Sequence, residues 1–270
     1  MIEKTQVTTD SKRLLQTAIN EYLSDGAAPE FMLFESIGST NTFAKEYARA
    51  NPISENGIII AADGQTAGRG RLGRSFLSDT GRGLYLTYLF KPTLSADKII
   101  HLTTCAAVAV CSVLDELTGA KTEIKWVNDV YLGGKKLAGI LTEGEFDQAK
   151  GAFSFAAVGI GINLYDVAFP EDLDSIATNL QSECGIAVDK NLLLAKLAKR
   201  LMQTLKSAEN YIDEYRSRCF VIGERVRVLA SDGQYEAVAE AVNDDGELIV
   251  KLDTGERKSL FSGEISIRKA

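Results

Sequence analysis

The chain has 270 residues, of which 45% are hydrophobic, so it is long enough to form one large domain and a small one around a buried core. Thirty basic residues stand against thirty-seven acidic ones, which gives a formal net charge of −7 at pH 7. This balance argues against bulk electrostatic binding to nucleic acid, and any phosphate-bearing ligand is expected to be small.

Cysteine and histidine usage argues against two further kinds of site. The four cysteines, Cys105, Cys111, Cys184 and Cys219, form no CxxC pair and are interpreted as reduced thiols of a cytoplasmic protein. With His101 as the single histidine, a His-rich metal site or a Ser-His-Asp triad is not expected.

The amino terminus, MIEKTQVTTDSKRLL, lacks the apolar stretch of a signal peptide, so export by that route is not predicted.

The first 65 residues predict helix, strand, helix and strand in turn. Residues 11–25 have the pattern of one short helix, which is too little for a helix-turn-helix or winged-helix DNA-binding module. The run FMLFESI predicts a strand, and GSTNTFAKEYARAN predicts a turn into a helix with Ser39 or Thr40 near its cap. GIIIAA, residues 57–62, predicts the next strand.

The middle of the chain predicts more strands and two long helices. A strand is expected around Leu86, followed by an apolar helix from His101 to about Leu117 that is better explained as a core helix than as a membrane span. TEIKWVNDVYLGGKKLAGILTEGEF predicts strand, turn, Gly-Gly hairpin and strand, and FSFAAVGIGINL predicts a buried strand. An apolar stripe of period 3.6 predicts an amphipathic helix between Asp189 and Arg218.

The last fifty residues differ from the rest. ERVRVLA, YEAVAEAV, ELIVKLD and EISIRKA are short strand patterns separated by Asp-Gly and Thr-Gly turns, which predict a small β-barrel. We therefore expect two domains, residues 1–220 and residues 221–270.

One loop is rich in both glycine and arginine. From Gly68 to Arg74 it contains three glycines and three arginines, and GRGRLG and GRGRLGRS match two phosphate-binding motifs. Both motifs require a helix behind the glycines, whereas the sequence here continues into a strand. We interpret the loop as a flexible cover over an anion; the alternative is a solvated, mobile hairpin loop.

Four segments place polar or cationic side chains among glycines at a strand end or a helix start, where open sheets bind ligands. They are GSTN (38–41), GQTAGRGRLGR (64–74), KWVND with GGKKLAG (125–139), and GIGIN (159–163). Each is weak alone: KWVND is also compatible with an ordinary strand end, and Ser39 or Thr40 with a helix cap.

Together, in this order and spacing, the segments resemble the catalytic domain of the biotin protein ligases. The motifs GRGRxGR, KWxND, KLAGIL and GxGIN carry the resemblance, and FSGEISIR continues it near the carboxyl end. Val127 stands where the family usually has proline and Phe76 where it often has tryptophan. The resemblance implies an α+β fold, with helices packed on the mixed sheet of a class II synthetase-like catalytic domain, followed by an SH3-like β-barrel. It is a resemblance to the monofunctional type, without an amino-terminal DNA-binding domain.

The resemblance also implies a two-step reaction. The biotin carboxylate attacks the α-phosphate of ATP to give biotinyl-5′-AMP and pyrophosphate, and a lysine of a biotin carboxyl carrier protein domain then attacks the acyl carbon. Both steps develop negative charge on phosphate oxygens, which fixed cations and backbone donors stabilise. Phe76 offers a stacking face to a purine in place of tryptophan.

The site residues implied by the resemblance fall into three overlapping sets. Catalytic roles are implied for Lys136, Arg71 and Asp129. A biotin pocket is implied for Ser39, Thr40, Asn41, Gln65, Arg69, Gly70, Arg71 and Lys136. An ATP site is implied for Gly68, Arg69, Arg71, Arg74, Phe76, Asn128, Lys136 and Asn163. Asp129, Asn128 and Asn163 offer oxygens to Mg²⁺ or to the nucleotide, and Asp129 is the expected metal ligand. Lys135 is expected to be solvated.

Two other functions share some of these features. Lipoate or octanoate attachment enzymes are structural relatives but carry different glycine and histidine motifs. An RNA-binding loop and barrel would have basic strands with exposed aromatic residues, whereas this barrel sequence is mixed to acidic. The expected partner is the carrier domain of a biotin-dependent carboxylase, with no DNA and no membrane; a homodimer is open.

Overall fold

The computed structural model describes residues 5–6, 28–166, 168–207, 211–230, 233–261 and 266–269. Its described part contains two β-sheets, one of eight strands and one of five. The predicted helix over residues 11–25 lies outside the described residues. In the larger sheet β2 and β3 are parallel and the other neighbouring strands are antiparallel, so the sheet is mixed as expected.

The strand order of the larger sheet is β1-β2-β3-β4-β8-β7-β6-β5. Its strands are β1 (Thr5–Gln6), β2 (Glu30–Ile37), β3 (Ile58–Gln65), β4 (Gly83–Phe90), β5 (Glu123–Lys125), β6 (Asp129–Leu132), β7 (Lys135–Asp147) and β8 (Ala152–Asn163). The strands predicted around Ile58 and Leu86, the Gly-Gly hairpin and the strand ending in GIGIN are confirmed. The central strands β3, β4 and β8 are nearly continuous buried runs because helices cover both faces of the sheet.

Six α-helices belong to the described part of the chain. They are α1 (Thr40–Ala50), α2 (Ile99–Thr118), α3 (Glu171–Asp174), α4 (Leu180–Cys184), α5 (Lys190–Ser207) and α6 (Tyr211–Arg218). α1 packs on one face of the sheet, and α2 lies on the other face beneath α5 and α6. The Asp189–Arg218 stripe thus gives two helices, and residues 208–210 between them lie outside the described residues.

Helix α2 is long and apolar enough, by length and composition, to cross a membrane. Most of it is buried in the protein instead, with Ala106 through Cys111 at or near zero exposure. Its apolar composition is therefore explained by packing against the sheet, as predicted for a core helix.

The smaller sheet is antiparallel, in the order β12-β11-β10-β9-β13. Its strands are β9 (Arg225–Ala230), β10 (Gly233–Val242), β11 (Leu248–Lys251), β12 (Arg257–Leu260) and β13 (Ser266–Lys269). This confirms the small β-barrel. The turn between β10 and β11 contacts the larger domain: the indole Nε1 of Trp126, between β5 and β6, donates to the Gly246 carbonyl at 3.0 Å, and Lys98, just before α2, pairs with Asp245.

The register of the large sheet aligns several of the predicted segments. Ala62 lies opposite Tyr85, Tyr85 opposite Gly161, Gly161 opposite Gly139, and Gly139 opposite Asp129. β2, β3 and β8 also run in the same direction, so Ser39, Gln65 and Asn163 follow or end strands at one edge. This arrangement explains how segments more than a hundred residues apart in sequence form one site.

Candidate active site

A cavity of about 540 Å³ lies over this edge of the sheet. Its volume is within the range of small-molecule sites in proteins. The predicted site residues that line it are Ser39, Thr40, Asn41, Gln65, Arg69, Gly70, Arg71, Arg74, Phe76, Asn128, Asp129, Lys136 and Asn163. Gly68 does not line it.

Glycines form part of the cavity floor. Gly159, Gly161 and Asn163 alternate along β8, so they share the face that lines the cavity. A Cβ on Gly161 would lie 2.6 Å from the Phe76 ring, and one on Gly139 would lie 3.3 Å from the same ring. The glycines of the GIGIN and KLAG motifs therefore allow the Phe76 ring to rest directly on the sheet.

Uncharged hydrogen-bonding groups gather where α1 begins beside the end of β3. Ser39 caps the helix, because its Oγ accepts from the Thr42 amide at 3.4 Å. The Thr40 amide donates to Gln65 Oε1 at 2.9 Å, and the Thr40 hydroxyl lies 3.1 Å from the same oxygen. The cap interpretation and the pocket interpretation are thus compatible, since the cap fixes the first turn of α1 at the cavity wall.

Asn41 is 3% exposed and fully engaged by the protein. Its Nδ2 donates to the Leu141 carbonyl and to Glu143 Oε2, both at 3.0 Å, and its Oδ1 accepts from Thr87 at 2.6 Å. Lys45 Nζ lies 2.5 Å from the other carboxylate oxygen of Glu143. Partial burial disfavours the charged carboxylate, but hydrogen bonds from Lys45 and Asn41 outweigh it and lower the pKa of Glu143.

The glycine-arginine loop connects β3 to β4, as predicted, with a short 3-10 turn at Arg71–Gly73. The loop folds on itself, since the Gly70 amide donates to the Arg74 carbonyl at 2.7 Å and the Phe76 amide to the Gly68 carbonyl at 3.0 Å. A Cβ on Gly68 would collide with Ser78 Oγ and the Phe76 carbonyl. Gly68 is therefore needed for the packing of the loop, and its contact with a nucleotide stays a prediction.

The three arginines of the loop differ in their surroundings. Arg69 and Arg74 are exposed, and within the described residues their guanidinium groups have no ion pair or hydrogen bond. Arg71 is half-buried and donates to Asn128 Oδ1 at 3.0 Å, so this arginine contacts the opposite wall of the cavity. Burial lowers the pKa of Arg71, but the group remains cationic because its ordinary value is so high.

A lysine, Lys136 at the start of β7, adds a further positive charge to the cavity wall. Its Nζ lies 2.6 Å from Asp129 Oδ1 and 6.0 Å from the centroid of the Phe76 ring. Asn128 holds the adjacent turn, since its Nδ2 donates to the Ile140 carbonyl at 2.8 Å. Lys135 donates to the Asp174 carbonyl at 2.8 Å, so this side chain, expected to be solvated, has a contact with the protein.

Sequence reasoning missed one wall of the cavity. The covering segment, defined as residues 164–166 and 168–179, contributes Phe169, Leu173, Ile176 and Ala177. It is held by backbone hydrogen bonds between Lys136 and residues 176 and 178, and Asn163 Nδ2 donates to the Thr178 carbonyl at 3.1 Å. The segment shows no clear hydrophobic period because its helices are short. The feature of the sequence that could have indicated a place beside the cavity is its position directly after GIGIN.

A protein-ligated metal centre does not fit the described residues. No group of three or more His, Cys, Asp or Glu side chains among them could hold a metal ion. Asp129, the predicted metal ligand, pairs with Lys136, and its contact with magnesium stays a prediction. His101 contacts Tyr211 and does not line the cavity.

The known proteins that this chain resembles are ligases of one family. The family model "Biotin/lipoate A/B protein ligase family" matches residues 33–163, and "Biotin protein ligase C terminal domain" matches residues 221–268. A biotin-[acetyl-CoA-carboxylase] ligase of Mycobacterium tuberculosis is 34% identical over 83% of this chain and 84% of its own length. The bifunctional ligase/repressor BirA of Bacillus subtilis is 30% identical over 86% of this chain and 72% of its own length.

A solved structure extends the similarity to the whole fold. The biotin protein ligase from Aquifex aeolicus, in complex with biotin and ATP, is 30% identical, with a TM-score of 0.75. The match covers 89% of this chain and 99% of that one.

Proposed function

We propose, from the premise that this chain belongs to the biotin/lipoate A/B protein ligase family, that the cavity is where biotin and ATP react. The chain is a biotin ligase, which activates biotin with ATP to biotinyl-5′-AMP and transfers the biotin to a lysine of a carrier protein. Both reactants must therefore bind at the same time, with the biotin carboxylate next to the α-phosphate.

The observation that carries the assignment is that uncharged hydrogen-bonding groups line one end of the cavity and charged groups line the other. Ser39, Thr40 and Gln65 form an uncharged cluster beside β3, and Lys136 and Asp129 lie at β6 and β7. β3 and β6 are four strand spacings apart, or roughly 19 Å at about 4.8 Å per spacing. The cavity is therefore long enough to hold two joined ligands.

Biotin is an apolar bicycle with one urea and one carboxylate, and it suits this arrangement. The urea needs a few fixed hydrogen-bonding groups, which Ser39, Thr40 and Gln65 supply, whereas the carboxylate needs nearby cations. We assign the bicycle to the β3 side and the carboxylate to the middle of the cavity, near the backbone of Arg69 and Gly70. The carboxylate then faces the nucleotide.

The nucleotide is assigned to the side of β6 and β7. Lys136 and Arg71 provide positive charge for the α-phosphate as the carboxylate oxygen attacks and pyrophosphate leaves. Asp129, 2.6 Å from Lys136, orients the ammonium group. We assign the Phe76 ring face to the purine, and Arg69, Arg74, Asn128 and Asn163, which line the same cavity, to the nucleotide as well.

In the second step the acceptor lysine attacks the acyl carbon, and AMP leaves. The same cations stabilise the negative charge of the departing phosphate. Magnesium is proposed to accompany ATP, bound mainly through phosphate oxygens and water, because this ion usually keeps several waters and the described residues form no cage for it. We propose a cytoplasmic enzyme whose acceptor is the carrier domain of a biotin-dependent carboxylase. Both a monomer and a homodimer are compatible with this proposal.

Exchange of labelled pyrophosphate into ATP tests the assignment. Biotin should support exchange, whereas lipoate and octanoate, as matched acids without a urea, should not. Exchange that is supported equally by lipoate, or that does not depend on an added acid, would refute the proposal.

A further inference from the structure

Thr87 lies in the middle of β4 beneath the cavity floor, and it is fully buried. Its Oγ1 lies 2.6 Å from Asn41 Oδ1 and 2.9 Å from Thr40 Oγ1. The residue does not line the cavity, so its hydroxyl acts on the site only through these two neighbours.

The orientation of the Asn41 amide is fixed by its other contacts. The Leu141 carbonyl and the Glu143 carboxylate can only accept hydrogen bonds, so the amide nitrogen must face them. The Lys45 ammonium group beside Glu143 keeps that carboxylate charged. With the nitrogen so placed, the Asn41 oxygen faces Thr87. Asn41 also packs tightly against Gly159, where a Cβ would collide with the amide.

This orientation decides where the hydroxyl protons go. Asn41 Oδ1 can only accept, so the single proton of Thr87 is donated to it at 2.6 Å. Thr40 Oγ1 then lies within 2.9 Å of the Thr87 oxygen and 3.1 Å of Gln65 Oε1, and either of these takes its proton. The Thr40 hydroxyl is left with lone pairs for a ligand.

Gln65 is oriented in a similar way. The Ser78 hydroxyl donates to the Phe76 carbonyl at 2.6 Å, so its oxygen accepts from Gln65 Nε2 at 3.2 Å. Gln65 Oε1 consequently faces the Thr40 amide and the cavity. With the Thr40 proton on Thr87, Gln65 Oε1 accepts only from the Thr40 amide and keeps its second lone pair, so Thr40 Oγ1 and Gln65 Oε1 both present acceptors to a ligand.

We propose that Thr87, acting with Asn41 and Glu143, is a positioning residue that fixes Thr40 and Gln65 as acceptors for the N–H groups of a cyclic urea. The inference rests on the proposed function, since the urea is that of biotin. It also changes the role of Asn41, which orients the pocket through its buried amide instead of contacting the ligand. Glu143 and Lys45 belong to the same relay, although neither lines the cavity.

Replacing Thr87 tests the relay. Thr87→Val keeps the shape of the side chain but leaves Asn41 Oδ1 without its donor, and the KM for biotin in pyrophosphate exchange should rise roughly 10- to 100-fold. The KM for ATP and the rate at saturating biotin should stay within about twofold of the parent values, because the relay contacts only the biotin side. Thr87→Ser restores the hydroxyl and should bring the KM for biotin back to within about threefold.

A matched control is Thr104→Val. Thr104 is also fully buried, and its hydroxyl lies 3.2 Å from the Ile100 carbonyl within α2, so this variant should lower the melting temperature without changing either KM. If Thr87→Val does not fold, Glu143→Ala, at a half-buried position, should still raise the KM for biotin selectively.

The outcomes separate the relay from the function. An unchanged KM for biotin in the folded Thr87 or Glu143 variants, or a failure of Thr87→Ser to restore it, would overturn the relay while exchange by the parent enzyme upholds the function. Absence of exchange by the parent enzyme would remove both.

Discussion

The pair formed by Lys136 and Asp129 shows how a single side chain is prepared for its proposed role. An ammonium group on a long flexible stem is a mobile charge, and the contact of 2.6 Å with Asp129 restricts it. Lys136 is partly buried, so water screens the effect of its charge on a reacting phosphate less than it would for an exposed lysine. Lys135, one residue away, points to the Asp174 carbonyl instead.

We expect Lys136→Ala to abolish most biotin-dependent pyrophosphate exchange. Removing a cation that stabilises charge in the transition state costs roughly 3 to 4 kcal/mol, or a hundredfold or more in rate. The rate of exchange at saturating biotin and ATP is the measurement, and Lys135→Ala, in the same hairpin, is the control that should retain it. Adenylate formation by Lys136→Ala at the parent rate would show that this side chain is not at the reacting centre.

We expect the glycine-arginine loop to close over the cavity when ligands bind. One of its side-chain contacts with the opposite wall is the hydrogen bond of 3.0 Å from Arg71 to Asn128. In the part of the chain that the structure describes, residues 68–76 belong to no α-helix, so ligand contacts are expected to contribute much of the order of this loop.

Arg71→Gly should therefore produce an enzyme that releases biotinyl-5′-AMP prematurely. Adenylate should still form, but it should escape before the acceptor arrives and label lysines of bystander proteins. In the parent enzyme, biotin and ATP should protect residues 68–76 from limited proteolysis, and this protection should be lost in the variant. Leu72→Gly is the matched control in the same loop, because Leu72 has a φ of 56° that glycine adopts readily.

Equal cleavage of the parent loop with and without ligands would contradict the closing role of the loop. Equal bystander labelling by Leu72→Gly would instead assign the premature release to loop flexibility rather than to the Arg71 side chain.

At the scale of the whole molecule, the small β-barrel is joined to the catalytic sheet next to the KWVND motif. Trp126 donates from its indole to the Gly246 carbonyl, and Arg216 donates to the Val242 carbonyl at 2.7 Å and pairs with Asp244. Trp126 also lines the cavity. One side chain therefore contacts both the active site and the barrel, and the division into domains at residues 220 and 221 stays a prediction.

Trp126→Phe should loosen the barrel without removing the aromatic packing. Loss of one buried hydrogen bond costs about 1 kcal/mol, which lowers the melting temperature by roughly 2 to 4 °C in a chain of this size. Amide exchange of residues 243–247 should become faster. Tyr215→Phe, which removes a buried hydrogen bond of 3.0 Å to the Val127 carbonyl, should lower the melting temperature similarly but leave these amides protected. Unchanged exchange in Trp126→Phe would refute the contact.

The sequence by itself determined which segments surround the cavity and which secondary structure they form, whereas the chemical role of each residue stays a prediction. Glycines beside arginines, an apolar strand ending in GIGIN and the Gly-Gly hairpin are local signals, because turn conformation and strand alternation depend on nearby residues. These signals and the family resemblance predicted the mixed sheet, the barrel and thirteen residues that line the cavity.

The tertiary structure decided what each of these side chains contacts. Asn41 reaches Thr87 and Glu143 across strands that are distant in sequence, and the covering segment closes the cavity through contacts with Lys136. Thr87 itself looks like any threonine in a buried strand, since nothing within β4 indicates its partners. The direction of a buried hydrogen bond depends on every acceptor and donor around it, and only the packed fold brings these groups within bonding distance.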